Sequence, residues 1–295
     1  MRLLFRVVFS TIVFTAAASL AGADQAAAPA RVFDYDRSAS LDLREIGRES
    51  RDDAVIQDVT FTANGDAIPA YIVRPSGGRR SLAGVLYVHW LGLPATTNRT
   101  QFLNEAVALA SQGVVSVLVE AMWAAPKWYE NRVPEEDYSR SVQQVIALRR
   151  AMQLLVQQPD VDPQRIGFVG HDFGAMYGII AGALDGRART YVLMAGTPRF
   201  ADWYLFAHQP KDLGAYRAQM APLDPIRFLG QLAPASVFFQ FAARDEYVSA
   251  AAAAESYAAA APRKQCATYD AGHDLQATAV AADRITWLLR ELAPR

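Results

Sequence analysis

Apolar and polar positions alternate in blocks along the chain, and these blocks predict strands and helices in turn. From residue 55 onward, "VIQDVTFTANGDAIPAYIVRP" predicts two strands joined by a turn at Asn64, Gly65 and Asp66, which is a typical hairpin signal. Short continuous apolar runs predict strands that are buried on both faces, namely "AGVLYVHW", "VVSVLVEA", "IGFVG", "TYVLMAG" and "ASVFFQFA". The alternating segment "KQCATYDA" predicts one more strand.

Segments with helical spacing lie between these strands. They are "TQFLNEAVALASQG", "EEDYSRSVQQVIALRRAMQLLVQQ", "GAMYGIIAGAL", "SAAAAAESYAAAA" and "VAADRITWLLREL". "DVDPQR" is expected to end the second of these helices before the strand "IGFVG", and residues 197–234 show no regular pattern. Strands that alternate with helices after an opening hairpin predict an α/β fold with a mostly parallel, doubly wound sheet and helices on both faces. We predict one domain over residues 56–295, preceded by a lead-in over residues 24–55.

The first 23 residues carry a different pattern. Arg2 and Arg6 precede an apolar run from Val7 to Leu20, and "AGA" follows it. This order is typical of a cleaved signal peptide. The run is shorter than the roughly 20 residues that a membrane span needs, so no stable membrane insertion is expected after cleavage. We therefore predict a periplasmic or secreted protein.

Composition and charge narrow the possible partners. The chain is 52% hydrophobic and 20% charged, which fits a globular protein with a sizeable core. Loss of the signal segment, which holds two arginines and no acids, would change the formal net charge from −1 to −3. Neither value favours nucleic acid or an anionic membrane surface as a partner, and a small-molecule substrate is expected instead. The oligomeric state is left open.

Metal and cofactor chemistry find no support in the sequence. The four histidines lack ligand spacing, and no glycine-rich phosphate loop follows a strand, so we predict no metal and no nucleotide cofactor. The single cysteine, Cys266, cannot form an internal disulfide. Its strand-like surroundings predict a buried thiol.

Three reactive residues directly follow predicted strands, where open α/β sheets bind their ligands. Gly170-His171-Asp172-Phe173-Gly174 lies between the strand "IGFVG" and a helix, which is the context of a nucleophile elbow. Asp245 follows "SVFFQFAAR", and His273 follows "QCATYDAG". The order of nucleophile, acid and histidine predicts that Asp172, Asp245 and His273 form a catalytic triad.

Two further residues near the predicted triad need an interpretation. Glu120 also lies at a strand end and is an alternative acid partner for the catalytic histidine. His171 precedes the predicted nucleophile, and we expect a buried structural histidine that is hydrogen-bonded to the backbone.

From about Phe33 to its end, the chain resembles the α/β-hydrolase superfamily, and within it the dienelactone-hydrolase-like branch. The segments that carry the resemblance are "YVHWLG", "PDVDPQRIGFVGHDFGAMYG", "VLMAGTP", "LDPIRFLGQLAP", "FQFAARDEYVS" and "YDAGHDL". The resemblance implies the α/β-hydrolase fold, here without a large cap domain because residues 197–234 are too few to form one. It also implies an oxyanion hole made by the backbone N–H groups of Phe173 and of Trp90 or Leu91.

Asp172 departs from this branch, in which esterases carry serine and dienelactone hydrolases carry cysteine. "GHDFGA" instead resembles epoxide hydrolases and haloalkane dehalogenases, whose nucleophile is an aspartate. A carboxylate with a reference pKa of about 3.9 is ionised at neutral pH and needs no base to activate it. It could attack an alkyl carbon, after which His273 and Asp245 would direct water onto the aspartyl ester.

Three hypotheses follow from these features. The first is an exported, cofactor-free hydrolase that acts through an aspartyl ester on a small apolar epoxide or alkyl halide. The second is a dienelactone-hydrolase-like carboxylesterase or lactonase in which Asp172 is a base toward water. The third is a catalytically inactive α/β-hydrolase that serves as a binding protein.

Aromatic residues in the loops at the strand ends predict an apolar pocket wall. The predicted wall consists of Trp90, Trp123, Trp128, Trp203 and Tyr204. Tyrosine hydroxyls converging near Asp172 would favour epoxides, paired indole N–H groups would favour halides, and neither arrangement would favour esters.

Overall fold

The computed structural model of the chain describes residues 27–78, 80–92 and 98–294. The predicted signal peptide lies outside these residues. None of the helices in the described part of the chain combines the length and the apolar character that crossing a bilayer requires.

One sheet of nine strands forms the centre of the protein, in the spatial order β1-β2-β3-β5-β4-β6-β7-β8-β9. The strands are β1 (Arg44–Arg51), β2 (Ala54–Ala63), β3 (Asp66–Pro75), β4 (Leu82–Val88), β5 (Val114–Val119), β6 (Val161–His171), β7 (Thr190–Met194), β8 (Ser236–Ala242) and β9 (Lys264–Tyr269). Strands β1, β2, β3 and β5 pair antiparallel in that order, and every pair from β5 through β4 to β9 is parallel. This arrangement confirms the predicted α/β-hydrolase fold.

Helices connect the parallel strands. They are α1 (Leu103–Ser111), α2 (Trp128–Asn131), α3 (Asp137–Val156), α4 (Phe173–Asp185), α5 (Ala201–Tyr204), α6 (Leu213–Met220), α7 (Ala250–Ala259) and α8 (Thr278–Glu291). Between β7 and β8 the chain forms only α5, α6 and short 3-10 turns, so the described residues contain no helical cap domain.

The opening hairpin forms as predicted. Strands β2 and β3 pair over their full length and close at Ala63 and Asp66. Asn64 and Gly65 have positive φ values of 53° and 86°. Two consecutive residues with positive φ match the turn that the right-handed twist of a two-residue hairpin requires.

The N-terminal segment differs from the prediction of a mere lead-in over residues 24–55. Residues Arg44–Arg51 form β1 and add an edge strand to β2. Phe33 is fully buried, and its carbonyl oxygen accepts a 2.7 Å hydrogen bond from Arg149. Hydrophobic periodicity could not reveal β1, because most of its side chains are exposed and backbone pairing alone defines it.

Two further predictions differ from the structure. Helix α3 ends at Val156, so "DVDPQR" lies outside it as expected, but β6 begins at Val161 rather than at Ile166, and Val161 pairs with Leu82. Cys266, expected to be buried, is exposed. Its strand, β9, lies beside β8 at the end of the strand order and forms an edge of the sheet. In an edge strand, alternating apolar and polar residues do not by themselves imply that a given side chain is buried.

Strands β4, β6, β8 and β9 run in the same direction, so their carboxyl ends meet at one edge of the sheet. The predicted reactive residues follow these ends. The alignment of Val88 with Gly170 brings the loop after β4 beside the turn after β6. The fold thus assembles residues that are far apart in sequence.

Candidate active site

Asp172 lies on a sharp turn between β6 and α4, with φ of 59° and ψ of −123°. A residue other than glycine rarely adopts this conformation, so the turn is strained. The strained conformation persists because the backbone on both sides of Asp172 is packed tightly. A Cβ atom on Gly170 would collide with the carbonyl oxygen of Gly174, and one on Gly174 would collide with that of Val88. Both glycines are therefore required by the elbow.

His273 lies between two carboxylates. Its Nδ1 atom is 3.0 Å from both carboxylate oxygens of Asp245, and its Nε2 atom is 3.8 Å from Oδ2 of Asp172. Oδ1 of Asp245 also accepts hydrogen bonds of 2.9 Å from the backbone N–H groups of Tyr247 and Val248. Asp245 is thus fixed by its own loop and in turn orients the imidazole.

Burial and charge pairing shift the pKa values of this group in different directions. Burial raises the pKa of Asp172, although His273 and the backbone N–H groups of Leu91 and Phe173 oppose the shift. For His273, burial acts to lower the pKa, but Asp172 and Asp245 outweigh it and raise the pKa to about 9. For Asp245, burial acts to raise the pKa, but His273 and two backbone N–H groups outweigh it and lower the pKa.

Of the three backbone N–H groups predicted for an oxyanion hole, two face Asp172 and one does not. The backbone N–H of Leu91 donates a 3.1 Å hydrogen bond to Oδ2 of Asp172, and the N–H of Phe173 also stabilises the Asp172 carboxylate. The backbone N–H of Trp90 instead donates to Oε1 of Gln101 at 2.9 Å. The N–H groups of Leu91 and Phe173 therefore face the Asp172 carboxylate, whereas that of Trp90 is engaged by Gln101.

A cavity of about 620 Å³ opens onto Asp172 and His273. Two of the five predicted wall residues, Trp90 and Trp203, line it. The other lining residues are Leu91, Tyr129, Asp172, Phe173, Phe206, Glu246, Tyr247, Gly272, His273 and Asp274.

The other three predicted wall residues lie behind this surface. Trp123 is 1% exposed, and its indole nitrogen donates to the carbonyl oxygen of His89 at 3.2 Å. Tyr204 is fully buried, and its hydroxyl bonds to the hydroxyl of Tyr177. Trp128 packs against Phe173 in a T-shaped arrangement with a ring distance of 5.7 Å. These side chains support the wall but do not form it.

Most of the hydrogen-bonding groups of the aromatic wall are already engaged. The hydroxyl of Tyr129 donates to the carbonyl oxygen of Trp203, and the indole of Trp203 donates to the carbonyl oxygen of Tyr247 at 3.2 Å. The indole nitrogen of Trp90 is buried and has no hydrogen-bond partner among the described residues. Among the residues that the structure describes, no pair of indole N–H groups is thus left to face Asp172.

Glu120 and His171, the two further residues near the predicted triad, make structural contacts. Glu120 lies 3.4 Å from the guanidinium of Arg99, whereas Asp245 is the acid that contacts His273. His171 is fully buried, and its Nε2 atom is 2.9 Å from the carbonyl oxygen of His273. This agrees with the expected backbone hydrogen bond.

Sequence reasoning missed Gln101, Tyr247 and Phe206. Gln101 lies in the loop before α1 and bonds to both Trp90 and His171, for which no sequence signal exists. Tyr247 lies two residues after Asp245, and its ring meets that of His273 at 5.0 Å. Its position beside a predicted catalytic acid was a usable signal. Within the described residues there is no cluster of side chains that could hold a metal ion.

Comparisons of structure agree with the fold. An acetyl xylan esterase from a Thermoanaerobacterium species is 15% identical, with a TM-score of 0.71 over 90% of this chain and 92% of its own. A second acetyl xylan esterase, from a Paenibacillus species, is 16% identical, with a TM-score of 0.69 over 88% and 91%. A Klebsiella pneumoniae protein assigned as a dienelactone hydrolase is 16% identical, with a TM-score of 0.60 over 83% and 100%. No protein-family model and no curated protein sequence matches the chain.

Proposed function

We propose that this protein is a cofactor-free hydrolase that cleaves carboxylic esters or lactones with Asp172, His273 and Asp245. The observation that carries the proposal is the state of the pocket donors. In the enzymes that the aspartate elbow resembles, a pair of tyrosine hydroxyls protonates the alkoxide of an opening epoxide, and paired N–H donors bind a departing halide. Tyr129 and Trp203 each donate their hydrogen to a backbone carbonyl. Among the described residues, this leaves Tyr247 as a single tyrosine of the cavity lining and leaves no pair of hydroxyls or indole N–H groups for Asp172. Ester cleavage requires neither arrangement.

The comparisons support the same substrate class. The similar structures named above are two acetyl xylan esterases and a protein assigned as a dienelactone hydrolase. Each of these names denotes an enzyme that cleaves ester bonds. The loops after β6 and β9 hold Asp172 and His273 3.8 Å apart, which supports a shared site. Ester hydrolysis is therefore favoured over the alkyl substrate that Asp172 alone would indicate.

In the proposed reaction Asp172 acts as a base. It accepts a proton from a water whose oxygen attacks the carbonyl carbon, and the carbonyl electron pair moves onto its oxygen. Asp172 loses its negative charge at this step, which frees the Leu91 N–H for the oxygen that gains the charge. The imidazolium of His273 then protonates the departing alkoxide as the ester C–O bond breaks. The proton on Asp172 passes to His273 and restores both groups.

A second candidate is covalent catalysis through an aspartyl ester on an alkyl substrate. One observation favours it. Oδ2 of Asp172 is held by the Leu91 N–H, while Oδ1 has no hydrogen-bond partner among the described residues. An oxygen with free lone pairs beside one that is held is the arrangement that a carboxylate nucleophile needs.

A substrate panel tests the proposal. We expect turnover of p-nitrophenyl acetate and δ-valerolactone, with no turnover of styrene oxide or 1-chlorobutane. Asp172→Asn should lose this turnover, and its matched control is Asp270→Asn, since Asp270 is exposed and lies outside the site. Turnover of the epoxide or the halide alone would replace ester hydrolysis with the second candidate. Failure on all four substrates would remove the proposed substrate class.

We also propose that the protein is exported, on the basis of residues 1–23. N-terminal sequencing of the protein made in a bacterial host is expected to begin near Asp24. A sequence beginning at Met1 in the cytoplasmic fraction would contradict export.

A further inference from the structure

A buried chain of hydrogen bonds joins three loops of the site. The backbone N–H of Trp90 bonds to Oε1 of Gln101 at 2.9 Å, and Nε2 of Gln101 lies 2.7 Å from Nδ1 of His171. Nε2 of His171 lies 2.9 Å from the carbonyl oxygen of His273. The chain thus runs from the loop after β4, across the elbow, to the catalytic histidine.

The partners allow only one direction for these bonds. A carbonyl oxygen only accepts, so Nε2 of His171 must carry the hydrogen that reaches His273. In a neutral ring Nδ1 then accepts, and the amide N–H of Gln101 supplies the hydrogen. The amide oxygen of Gln101 is left to accept from Trp90. Every group in the chain is used once, and no other orientation of the amide satisfies all three contacts.

The surroundings keep His171 neutral. Burial is the largest cause that holds the pKa of His171 well below its ordinary value. The positive charges of His273 and Arg284 lower that pKa further. The ring of Trp90 stacks on that of His171 with a centroid distance of 5.2 Å and an interplanar angle of 5°. A neutral ring held on one face by an indole and at both nitrogens by hydrogen bonds is fixed in position.

We propose that Gln101 and His171 form a positioning pair that sets the backbone of His273, and through it the imidazole, relative to Asp172 and the Leu91 N–H. Neither residue lines the cavity, so neither contacts substrate. The pair acts by holding the loops after β4 and β9 to the elbow. The inference does not depend on the substrate class, and only its kinetic readout rests on the proposed function.

The first test is spectroscopic and needs no substrate. In ¹⁵N-histidine-labelled protein, with His171→Asn used for assignment, His171 is expected to carry a hydrogen on Nε2 only and to stay neutral from pH 5 to 8. Gln101→Glu removes the amide N–H and places a carboxylate at Nδ1, so both nitrogens should become protonated. A hydrogen on Nδ1 of the unaltered protein, or titration near the ordinary value of about 6.5, would overturn the assigned chain.

The second test measures the consequence for turnover. Gln101→Glu and Gln101→Met are each expected to lower kcat by about 10–100-fold with little change in KM, since outer-shell partners act through the groups they orient. The exposed residue Gln143 on α3 supplies the control, and Gln143→Glu should leave kcat unchanged. An unchanged kcat in both Gln101 variants would overturn the positioning role even if the spectra agree with the chain.

A double variant separates positioning from general loss of stability. If the two residues act as one unit, Gln101→Met combined with His171→Asn should lower kcat no further than the more damaging single change. Fully multiplicative losses would show that the two residues act independently and would contradict the pair. Thermal unfolding of each variant shows whether the folded protein persists.

Discussion

The Nε2 atom of His273 lies 3.8 Å from Oδ2 of Asp172, while its Nδ1 atom lies 3.0 Å from both oxygens of Asp245. The imidazole is therefore hydrogen-bonded to one carboxylate and separated by a short gap from the other, because 3.8 Å exceeds a hydrogen-bond length. Two flanking carboxylates favour the imidazolium and raise the pKa of His273 to about 9. A serine hydrolase needs the opposite state, a neutral histidine that can accept a proton.

Asp172→Asn is expected to reduce kcat/KM on a turned-over ester by at least about 10³-fold, because the amide cannot accept the proton of the attacking water. Steady-state kinetics with p-nitrophenyl acetate measure the loss. Asp270→Asn, in an exposed position, should retain the activity of the unaltered protein. Retained activity in Asp172→Asn would remove this residue from the chemistry, and retained biological function without turnover would favour the hypothesis of an inactive binding protein.

The pH dependence follows from the two shifted groups. Asp172 must be ionised to act as a base, so kcat/KM should rise as the pH passes the pKa of Asp172, which burial raises. His273 must be protonated to act as an acid, so kcat/KM should fall as the pH passes about 9. A profile that shows no fall as the pH passes about 9 would contradict the role of protonated His273 as the acid.

Asp245→Asn tests the cause of the raised histidine pKa. Asp245 contributes a hydrogen bond and a negative charge that both raise the pKa of His273. Its removal should therefore lower that pKa and move the alkaline limb of the kcat/KM profile to lower pH. An alkaline limb that stays near pH 9 in this variant would show that a different group titrates there.

Gly174→Ala tests the packing of the elbow. A Cβ atom at this position would collide with the carbonyl oxygen of Val88, which is backbone and cannot rotate away. We expect a loss of about 2–4 kcal/mol in the free energy of unfolding, measured by urea denaturation. Gly77→Ala is the control, because a Cβ atom there meets nothing within 4 Å. Equal stability of the two variants would contradict the tight approach.

Much of the fold could be predicted because the central strands and the long helix α3 carry strong patterns. Strand β4 is buried along its whole length and appears in the sequence as an unbroken apolar run. Strand β1 could not be predicted, since its exposed side chains carry no period and only its backbone joins the sheet. Cys266 was misplaced for a related reason, because its strand forms the edge of the sheet.

The polar residues of the candidate site could be predicted better than its walls. Asp172, Asp245 and His273 follow strand ends in a fixed order, and the structure brings them together. Which aromatic side chains face the cavity depends on loop paths that sequence patterns do not encode. Trp203 lines the cavity, while its neighbour Tyr204 turns inward to Tyr177.

The most direct test of the account is a single turnover of p-nitrophenyl acetate in ¹⁸O-water, followed by mass spectrometry of the peptide that contains Asp172 and of the released acid. With Asp172 as a base, water attacks the substrate, so ¹⁸O should appear in the released acetate and not in the Asp172 carboxylate. Incorporation of ¹⁸O into Asp172 during that single turnover would show a covalent route and would contradict the proposed role of this residue.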